Sequence, residues 1–315
     1  IKLLIKNLSI LIYQMEDKKN IKISPILKAL VYYDVFDYPL NLEEILTHCK
    51  ELSSNEIKQE LQVFVSQYIV FKIDDFYSLQ NDKTLSKNRV EGNLRKEEFT
   101  EKALKRAKLI SKFPYVRGVL ISGSFSKGHM PKDGDVDYFI ITKNNRLWLC
   151  RTILILYKKI FLFNSRKFFC VNYFLGENDL LIDENNIFTA TEIFTLQPVF
   201  NKELYCKLIE NNSWVEDYYD ISNLKKHKIN DYRKSWIQSL NEPVFNNSFG
   251  ELLDKYLMKR TLSRWSKKFP DLPPVDFEIA FKSTRNVSKH HPSNFQKKIL
   301  FAYNDKINKL NSPNV

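Results

Sequence analysis

Two aspartates separated by one residue, Asp135 and Asp137, are the residues best placed to do chemistry in this chain. They begin a β-branched and aromatic run, Asp135–Ile141, which predicts a strand. Because strand side chains alternate, both carboxylates point to one face while Val136 and Tyr138 point away. Two neighbouring carboxylates repel each other unless a cation lies between them, and Mg²⁺ prefers oxygen ligands. The pair therefore predicts a metal site, with Mg²⁺ expected and Mn²⁺ as the alternative.

Glycines are concentrated in the segment that precedes the two aspartates. Four of the seven glycines in the 315-residue chain lie in one short segment: Gly118, Gly123, Gly128 and Gly134. Such a concentration indicates backbone that turns tightly or approaches a ligand closely. The short apolar run Val119–Ser122 predicts a buried strand. Gly123-Ser124 ends that strand with a turn that can start a helix and leave backbone N–H groups free.

This segment resembles the signature of the nucleotidyltransferase superfamily of DNA polymerase β type. The signature is a hydrophobic strand, Gly-Ser, a polar spacer and Asp-x-Asp in a second strand. The matching residues are Gly123-Ser124, the spacer Phe125–Gly134 and Asp135-Val136-Asp137. The resemblance covers about a third of the chain, roughly residues 100 to 190.

The resemblance implies a Mg²⁺-dependent transfer of an NMP from an NTP to a hydroxyl acceptor, with release of pyrophosphate. Asp135 and Asp137 would then be the catalytic metal ligands. The NTP phosphates would bind to the backbone and hydroxyl of Gly123 and Ser124, and Lys127 would meet phosphate oxygens.

One position departs from the family pattern. Phe168–Leu175 predicts a third strand, on which the resembled family carries a third carboxylate facing the first two. The residue at this third-ligand position is Asn172, and a neutral amide would weaken the metal that activates the attacking hydroxyl. Asp179 and Asp183 lie just beyond and could substitute. Two functions stay open: an enzyme, or a non-catalytic nucleotide-sensing regulator or DNA- or protein-binding adaptor built on a degenerate domain.

The N-terminal region predicts three helices followed by a hairpin. The predicted elements are helices at Ser24–Asp34, Leu42–Cys49 and Ser54–Gln67, and strands at Ile69–Ile73 and Phe76–Leu79. Ser24 is the expected N-cap of the first helix, and Ser53-x-x-Glu56 is a capping box for the third. This order is typical of a winged helix-turn-helix. The third helix carries two acids, Glu56 and Glu60, against one base, Lys58, which favours protein docking over DNA binding.

The remaining elements complete an α+β prediction with a mostly helical C-terminal region. Helices are expected at Asn88–Ser111, Arg146–Phe163, Ile187–Leu196, Phe200–Glu210, Ser248–Phe269 and Pro292–Leu310, and a strand at Val275–Phe281. Lys225, Lys226, His227 and Lys228 indicate an exposed linker. The predicted domains are 1–87, an N-terminal helix plus the winged helix; 88–196, a polymerase-β-like nucleotidyltransferase sheet with flanking helices; and 197–315, a helical domain.

Adjacent histidines at Lys289-His290-His291-Pro292 match no usual metal-ligand spacing. The plainer interpretation is a pair of surface histidines at a helix start. The alternative is an acceptor or phosphate groove lined also by Lys282, Arg285, Lys297 and Lys298.

Composition limits the class of partner. The hydrophobic content of 43% describes a folded chain, and the net charge of +12 favours polyanionic partners such as nucleotides or nucleic acid. The acceptor stays open among RNA, protein, a small molecule and a nucleotide. Four scattered cysteines without a C-x-x-C motif indicate reduced thiols in a cytoplasm. Ile1–Met15 is too short to span a bilayer, so we expect an amphipathic helix there and no membrane partner.

Overall fold

The computed structural model describes residues 23–222, 224, 229, 231, 233–291 and 294–311. The chain is α+β and divides into two compact units, Ile1–Leu85 with Phe301–Val315, and Ser86–Leu300. Residues 197–300 therefore belong to the same unit as 88–196, whereas the sequence predicted a third domain from 197. The expected helix at Ile1–Met15 and the expected linker at Lys225–Lys228 lie outside the described residues.

The first unit contains three short helices and a three-stranded antiparallel sheet. Its helices are Pro25–Asp34 (α1), Leu42–His48 (α2) and Ser54–Ser66 (α3); its strands are Leu40–Asn41 (β1), Phe71–Ile73 (β2) and Phe76–Ser78 (β3). The strand order is β1-β3-β2. The Ser24 hydroxyl accepts the Ile26 N–H at 3.1 Å, and Ser53 and Glu56 form the predicted capping box. The three helices and the hairpin are confirmed, and β1 was missed because two residues carry no periodicity.

The second unit is built on a five-stranded sheet. Its strands are Val116–Ser122 (β4), Asp137–Thr142 (β5), Cys170–Gly176 (β6), Gln197–Phe200 (β7) and Val287–Lys289 (β8), in the order β7-β4-β5-β6-β8. Its helices are Lys83–Ile110 (α4, which begins in the first unit), Gly123–Ser126 (α5), Leu147–Phe161 (α6), Ile187–Phe194 (α7), Lys202–Asn211 (α8), Trp236–Asn241 (α9), Ser248–Lys268 (α10) and Pro274–Ala280 (α11). The last helix, Phe295–Asn311 (α12), begins in this unit. In the described part of the chain, no helix is long and apolar enough to cross a bilayer.

Alternate residues of the central strands pack into two cores, one on each face of the sheet. Val119 and Ile121 belong to one core, and Leu120 belongs to the other. Strands β5 and β6 are parallel, whereas β4 and β5 are antiparallel, with Ser122 opposite Asp137. The C-terminal end of β4 and the N-terminal ends of β5 and β6 therefore meet at one edge of the sheet. This edge brings together the two halves of the Gly-Ser and Asp-x-Asp pattern.

Two sequence predictions about the elements after residue 196 were wrong. Val275–Phe281 is not a strand: Pro274 opens a helix at its first turn, and Phe277 and Phe281 are spaced four residues apart as helix neighbours. Phe200 is not helical but ends β7, and the helix begins at Lys202 behind the Asn201 cap. β7 contains a proline and lies at the edge of the sheet, where a missing N–H is tolerated.

Candidate metal centre

The two aspartates lie together at the end of the sheet where β4 ends and β5 and β6 begin. Asp137 is the first residue of β5, and Asp135 precedes it, with Val136 between them fully buried. The Val136 N–H donates to the Lys167 carbonyl at 2.9 Å, which holds this segment beside the start of β6. The carboxylates of Asp135 and Asp137 and the thiol of Cys170 each have a ligand atom within 4.8 Å of the others. Two carboxylate oxygens and one sulfur atom therefore lie close enough together to be ligands of one metal ion.

Gly123 is pressed against this cluster. Its φ is +70°, a conformation that favours glycine, and a Cβ added there would lie 2.5 Å from Asp137 Oδ2. Any side chain at this position would displace the carboxylate. Ser124 follows in the short turn of helix α5 and is half-buried. The Gly-Ser pair thus lies directly beside the acid pair, as the sequence pattern predicts.

The spacer between the two halves of the pattern is anchored to helix α4. The Met130 N–H donates to the Gly92 carbonyl at 3.0 Å, and Arg95 Nε donates to the Met130 carbonyl at 3.0 Å. A Cβ on Gly92 would lie 2.0 Å from the His129 ring, so glycine leaves room for the histidine. The Tyr138 side chain, which points away from the face of the two carboxylates, donates its hydroxyl to the Ala103 carbonyl of the same helix at 3.0 Å. Helix α4 therefore anchors both the spacer and strand β5.

The environment of Asp137 disfavours its negative charge. Burial and the neighbouring charge of Asp135 raise the pKa of the Asp137 carboxyl to about 7, and Glu192 adds to this effect. A hydrogen bond from Cys170 and the charge of Lys127 act in the opposite direction and are outweighed. A cation placed against the Asp137 carboxylate would stabilise its charged form.

Asn172 occupies the position that faces the acid pair, but it acts there as a hydrogen-bond donor. Its Nδ2 donates to Asp137 Oδ1 at 2.9 Å and lies 3.0 Å from Cys170 Sγ. Asn172 sits at an irregularity in the β5–β6 pairing, between Val171 opposite Tyr138 and the next aligned pair. The amide thus orients Asp137 instead of supplying a third negative charge.

Cys170 is the member of this cluster that sequence reasoning missed. Its side chain is buried, and burial together with the charges of Asp137 and Asp135 raises the pKa of the thiol, which stays protonated. The spacing Cys170-x-Asn172 on β6 repeats the spacing Asp135-x-Asp137 at the start of β5. The repeat alone does not identify Cys170, because it joins the acids only through the parallel pairing of β6 with β5, which no local sequence pattern shows.

Lys127 lies beside the cluster and forms an ion pair with Glu192. Its Nζ donates to Glu192 Oε1 at 2.7 Å and to the Gly123 carbonyl at 3.2 Å. Both side chains of this ion pair are partly exposed, at 14% for Lys127 and 30% for Glu192. The lysine is therefore near enough to meet a bound anion, and Glu192 shares its charge.

The other acids considered for the third position lie elsewhere. Asp183 forms an ion pair with Lys282. Asp179 is exposed and follows Gly176, at the opposite end of β6 from Cys170. Neither residue joins the cluster, so the suggestion that one of them replaces the missing carboxylate is wrong.

The adjacent histidines are not a surface pair. The His290 ring packs 4.8 Å from the Trp265 ring and 5.3 Å from the Phe281 ring, measured between centroids. Burial lowers the pKa of His290 to about 3 and that of His291 to about 4, so both are neutral at pH 7. The His290 N–H donates to the Asn172 carbonyl at 3.0 Å. His290 therefore supports the strand that carries Asn172.

Because the folded-state pKa of Asp137 is raised, the metal-free protein should lose stability as pH rises from 3.8 to about 7. The unfolded carboxyl ionises near pH 3.8, and the folded one resists ionisation until about pH 7. The loss is fully developed above pH 7 and amounts to about 4 kcal/mol between pH 4 and 8. Denaturant unfolding in EDTA at several pH values, compared with Asp137→Asn, isolates this contribution. Parallel pH profiles of the two proteins would contradict it.

The donor set fits a divalent cation bound mainly by oxygen. Asp135 and Asp137 offer hard oxygen ligands, whereas the protonated Cys170 thiol and the Asn172 amide stand behind them as hydrogen-bond donors. Comparison with known proteins finds no family model, no curated protein and no solved structure that matches this chain.

Proposed function

We propose that this chain is a Mg²⁺-dependent nucleotidyltransferase that moves an NMP from an NTP to a hydroxyl acceptor and releases pyrophosphate. The observation that supports it most is the convergence of Asp135 and Asp137 against the backbone of Gly123. Paired acids beside a glycine turn suit a cation and a polyphosphate bound together. Mn²⁺ is the alternative ion for the same ligands.

Asp135 and Asp137 would hold the metal. When bound, Mg²⁺ would neutralise the β- and γ-phosphates and polarise the α-phosphorus. Asn172 keeps Asp137 oriented through its hydrogen bond to Oδ1, and Gly123, which has no Cβ, lets the backbone of the turn lie against the Asp137 carboxylate. Lys127 can exchange part of its contact with Glu192 for phosphate oxygens. The acceptor hydroxyl oxygen would form the new bond to the α-phosphorus and lose its proton to solvent, while the bond from the α-phosphorus to the oxygen that bridges the β-phosphate would break and release pyrophosphate.

We also propose finer identities for the two units. The order of helices and strands in the first unit suits a winged helix-turn-helix, used to dock a protein. The mixed sheet of the second unit, with the acids on β5 beside the Gly-Ser turn after β4, suits a polymerase-β-like nucleotidyltransferase core.

A screen of the four NTPs with Mg²⁺ or Mn²⁺ tests the function most directly. We expect pyrophosphate release with at least one NTP when acceptor is present, and loss of release in EDTA. Release that persists in EDTA, or no release with any NTP and acceptor class, would contradict the enzyme.

A second function is favoured by one observation. Asn172 donates a hydrogen bond to Asp137 where the resembled family carries a carboxylate, so the site has one acid fewer. A non-catalytic regulator that binds a nucleotide and signals through the first unit would need no third acid. Tight NTP binding without pyrophosphate release would support this function over the enzyme.

Replacing Asn172 with aspartate should make stability depend on metal. The variant loses a hydrogen bond to a carboxylate and adds a third negative charge, so we expect metal-free stability to fall by about 2 kcal/mol or more. Mg²⁺ should restore most of this loss, measured by unfolding in EDTA and in Mg²⁺. The matched control Asn172→Ala loses the hydrogen bond alone, so its stability should gain no extra dependence on Mg²⁺. Equal stabilisation of the two variants by Mg²⁺ would refute the placement of residue 172 beside the metal site.

A further inference from the structure

The outward face of helix α10 carries only positive charge over its last turns. From Lys255 to Lys268 the sequence contains no aspartate or glutamate. Six exposed cations lie along this stretch: Lys255, Lys259, Arg260, Arg264, Lys267 and Lys268. Within the part of the chain that the structure describes, none of these six side chains is in an ion pair. At 1.5 Å per residue this basic face runs for about 20 Å.

The apolar side of the same helix is already occupied. Leu253, Leu257 and Leu262 pack against the core of the second unit, and Trp265 is buried. A helix that lies on a membrane needs its apolar face free to enter the lipid. From Lys255 onward α10 therefore presents charge rather than an insertable surface, with the Tyr256 ring 56% exposed among the cations; Phe249 and Leu252, which are also exposed, lie before this stretch. Phosphates with bases that can stack on a ring suit this surface better than a lipid bilayer does.

A chain of contacts connects this helix to the metal centre. The Trp265 ring of α10 lies 4.8 Å from the His290 ring. The His290 N–H donates to the Asn172 carbonyl at 3.0 Å, and Asn172 Nδ2 donates to Asp137 Oδ1 at 2.9 Å. The buried side of α10 is thus joined to the acid pair through consecutive neighbours.

We propose that the basic face of α10 binds a single RNA strand whose terminal hydroxyl is the acceptor. A single strand is flexible enough to follow a straight helix and still bend its end toward Asp135 and Asp137, whereas a duplex would first have to unpair. Single-stranded polynucleotides with free ends are chiefly RNA in cells. The role of the strand as acceptor rests on the proposed function; its binding to α10 does not.

Binding is tested without metal or NTP, so that its result is independent of catalysis. The probe is a fluorescent single-stranded RNA of about 20 nucleotides, titrated with the full chain in EDTA at several salt concentrations. With six phosphate contacts the logarithm of the binding constant should fall with the logarithm of salt concentration with a slope of about −4. In the quadruple variant Lys255→Gln, Lys259→Gln, Arg260→Gln and Arg264→Gln we expect a slope of about −1 and at least about tenfold weaker binding at moderate salt.

The control removes the same charge from other helices. Lys105, Lys108, Lys202 and Lys207 are exposed on α4 and α8, and their replacement by glutamine should leave the slope nearly unchanged. Equal losses in the two quadruple variants would overturn the assignment to α10, because net charge alone would then explain binding. Tighter binding of duplex DNA or of anionic phosphatidylserine vesicles than of RNA would overturn the choice of partner.

The acceptor role needs a second readout. We expect NMP label from an NTP to appear on the single-stranded RNA and to be lost in the α10 variant, which still binds NTP. Label on a single-stranded DNA of the same sequence but not on the RNA would overturn RNA as the acceptor. Normal RNA binding without label transfer to any acceptor would contradict the proposed enzyme while leaving the surface intact.

Discussion

Replacing Asp135 and Asp137 together with asparagine is expected to abolish Mg²⁺-dependent NMP transfer, by at least about 10³-fold. The two carboxylates are the oxygen ligands that converge at the edge of the sheet, and removing the charge-stabilising contribution of a metal costs several kcal/mol of transition-state free energy. Pyrophosphate release at saturating NTP, with Mg²⁺ or Mn²⁺ present, measures the loss.

The same variant should remain folded, because the substitution relieves charge repulsion in a site where burial raises the pKa of Asp137. Its midpoint of denaturant unfolding in EDTA at pH 8 should be higher than that of the parent chain. Transfer at the parent rate in the double variant would show that the acids are not the metal ligands of the reaction. Its binding of RNA in EDTA should be unchanged, which separates this test from the test of α10.

Replacing Gly123 with alanine is the second change with a large expected effect. An alanine at φ +70° costs about 1 kcal/mol or more, and its Cβ would lie 2.5 Å from Asp137 Oδ2. The carboxylate must therefore move by a fraction of an ångström to about 1 Å, a displacement that can lower the rate of transfer about 10²-fold. Transfer kinetics and unfolding of the same preparation measure both effects.

Gly128 provides a matched control for this change. Its φ is +85°, but a Cβ added there would meet no atom within 4 Å. Gly128→Ala should therefore lose a similar amount of backbone free energy and keep nearly full activity. Equal losses of activity in the two variants would show that backbone strain, and not contact with Asp137, explains the effect of Gly123→Ala.

The local features of the site follow from the sequence by simple geometry. Alternation along a strand predicted that Asp135 and Asp137 share a face, and their ligand atoms converge. The Gly-Ser turn predicted a close backbone approach, and Gly123 lies against Asp137. Both predictions depend on neighbours in the chain, where residue type and spacing carry enough information.

Features that depend on pairing between distant segments could not be predicted in the same way. Cys170 joins the acids only because β6 pairs in parallel with β5, with an irregularity at Asn172 that no local pattern shows. β8 has three residues and pairs with β6 from more than a hundred residues away. Val275–Phe281 was assigned as a strand because a short apolar run has no decisive period; the proline at its start and the four-residue spacing of its phenylalanines decide for helix.

The central claim is that Asp135 and Asp137 bind a divalent cation together with a polyphosphate. Titration of the metal-free chain with Mn²⁺ in the presence of a non-hydrolysable NTP, followed by the electron paramagnetic resonance signal of free Mn²⁺, measures this binding directly. We predict saturable binding that Mg²⁺ displaces and that the Asp135→Asn, Asp137→Asn double variant loses. Binding of equal strength in the double variant, or no loss of the free Mn²⁺ signal with the parent chain, would contradict the account.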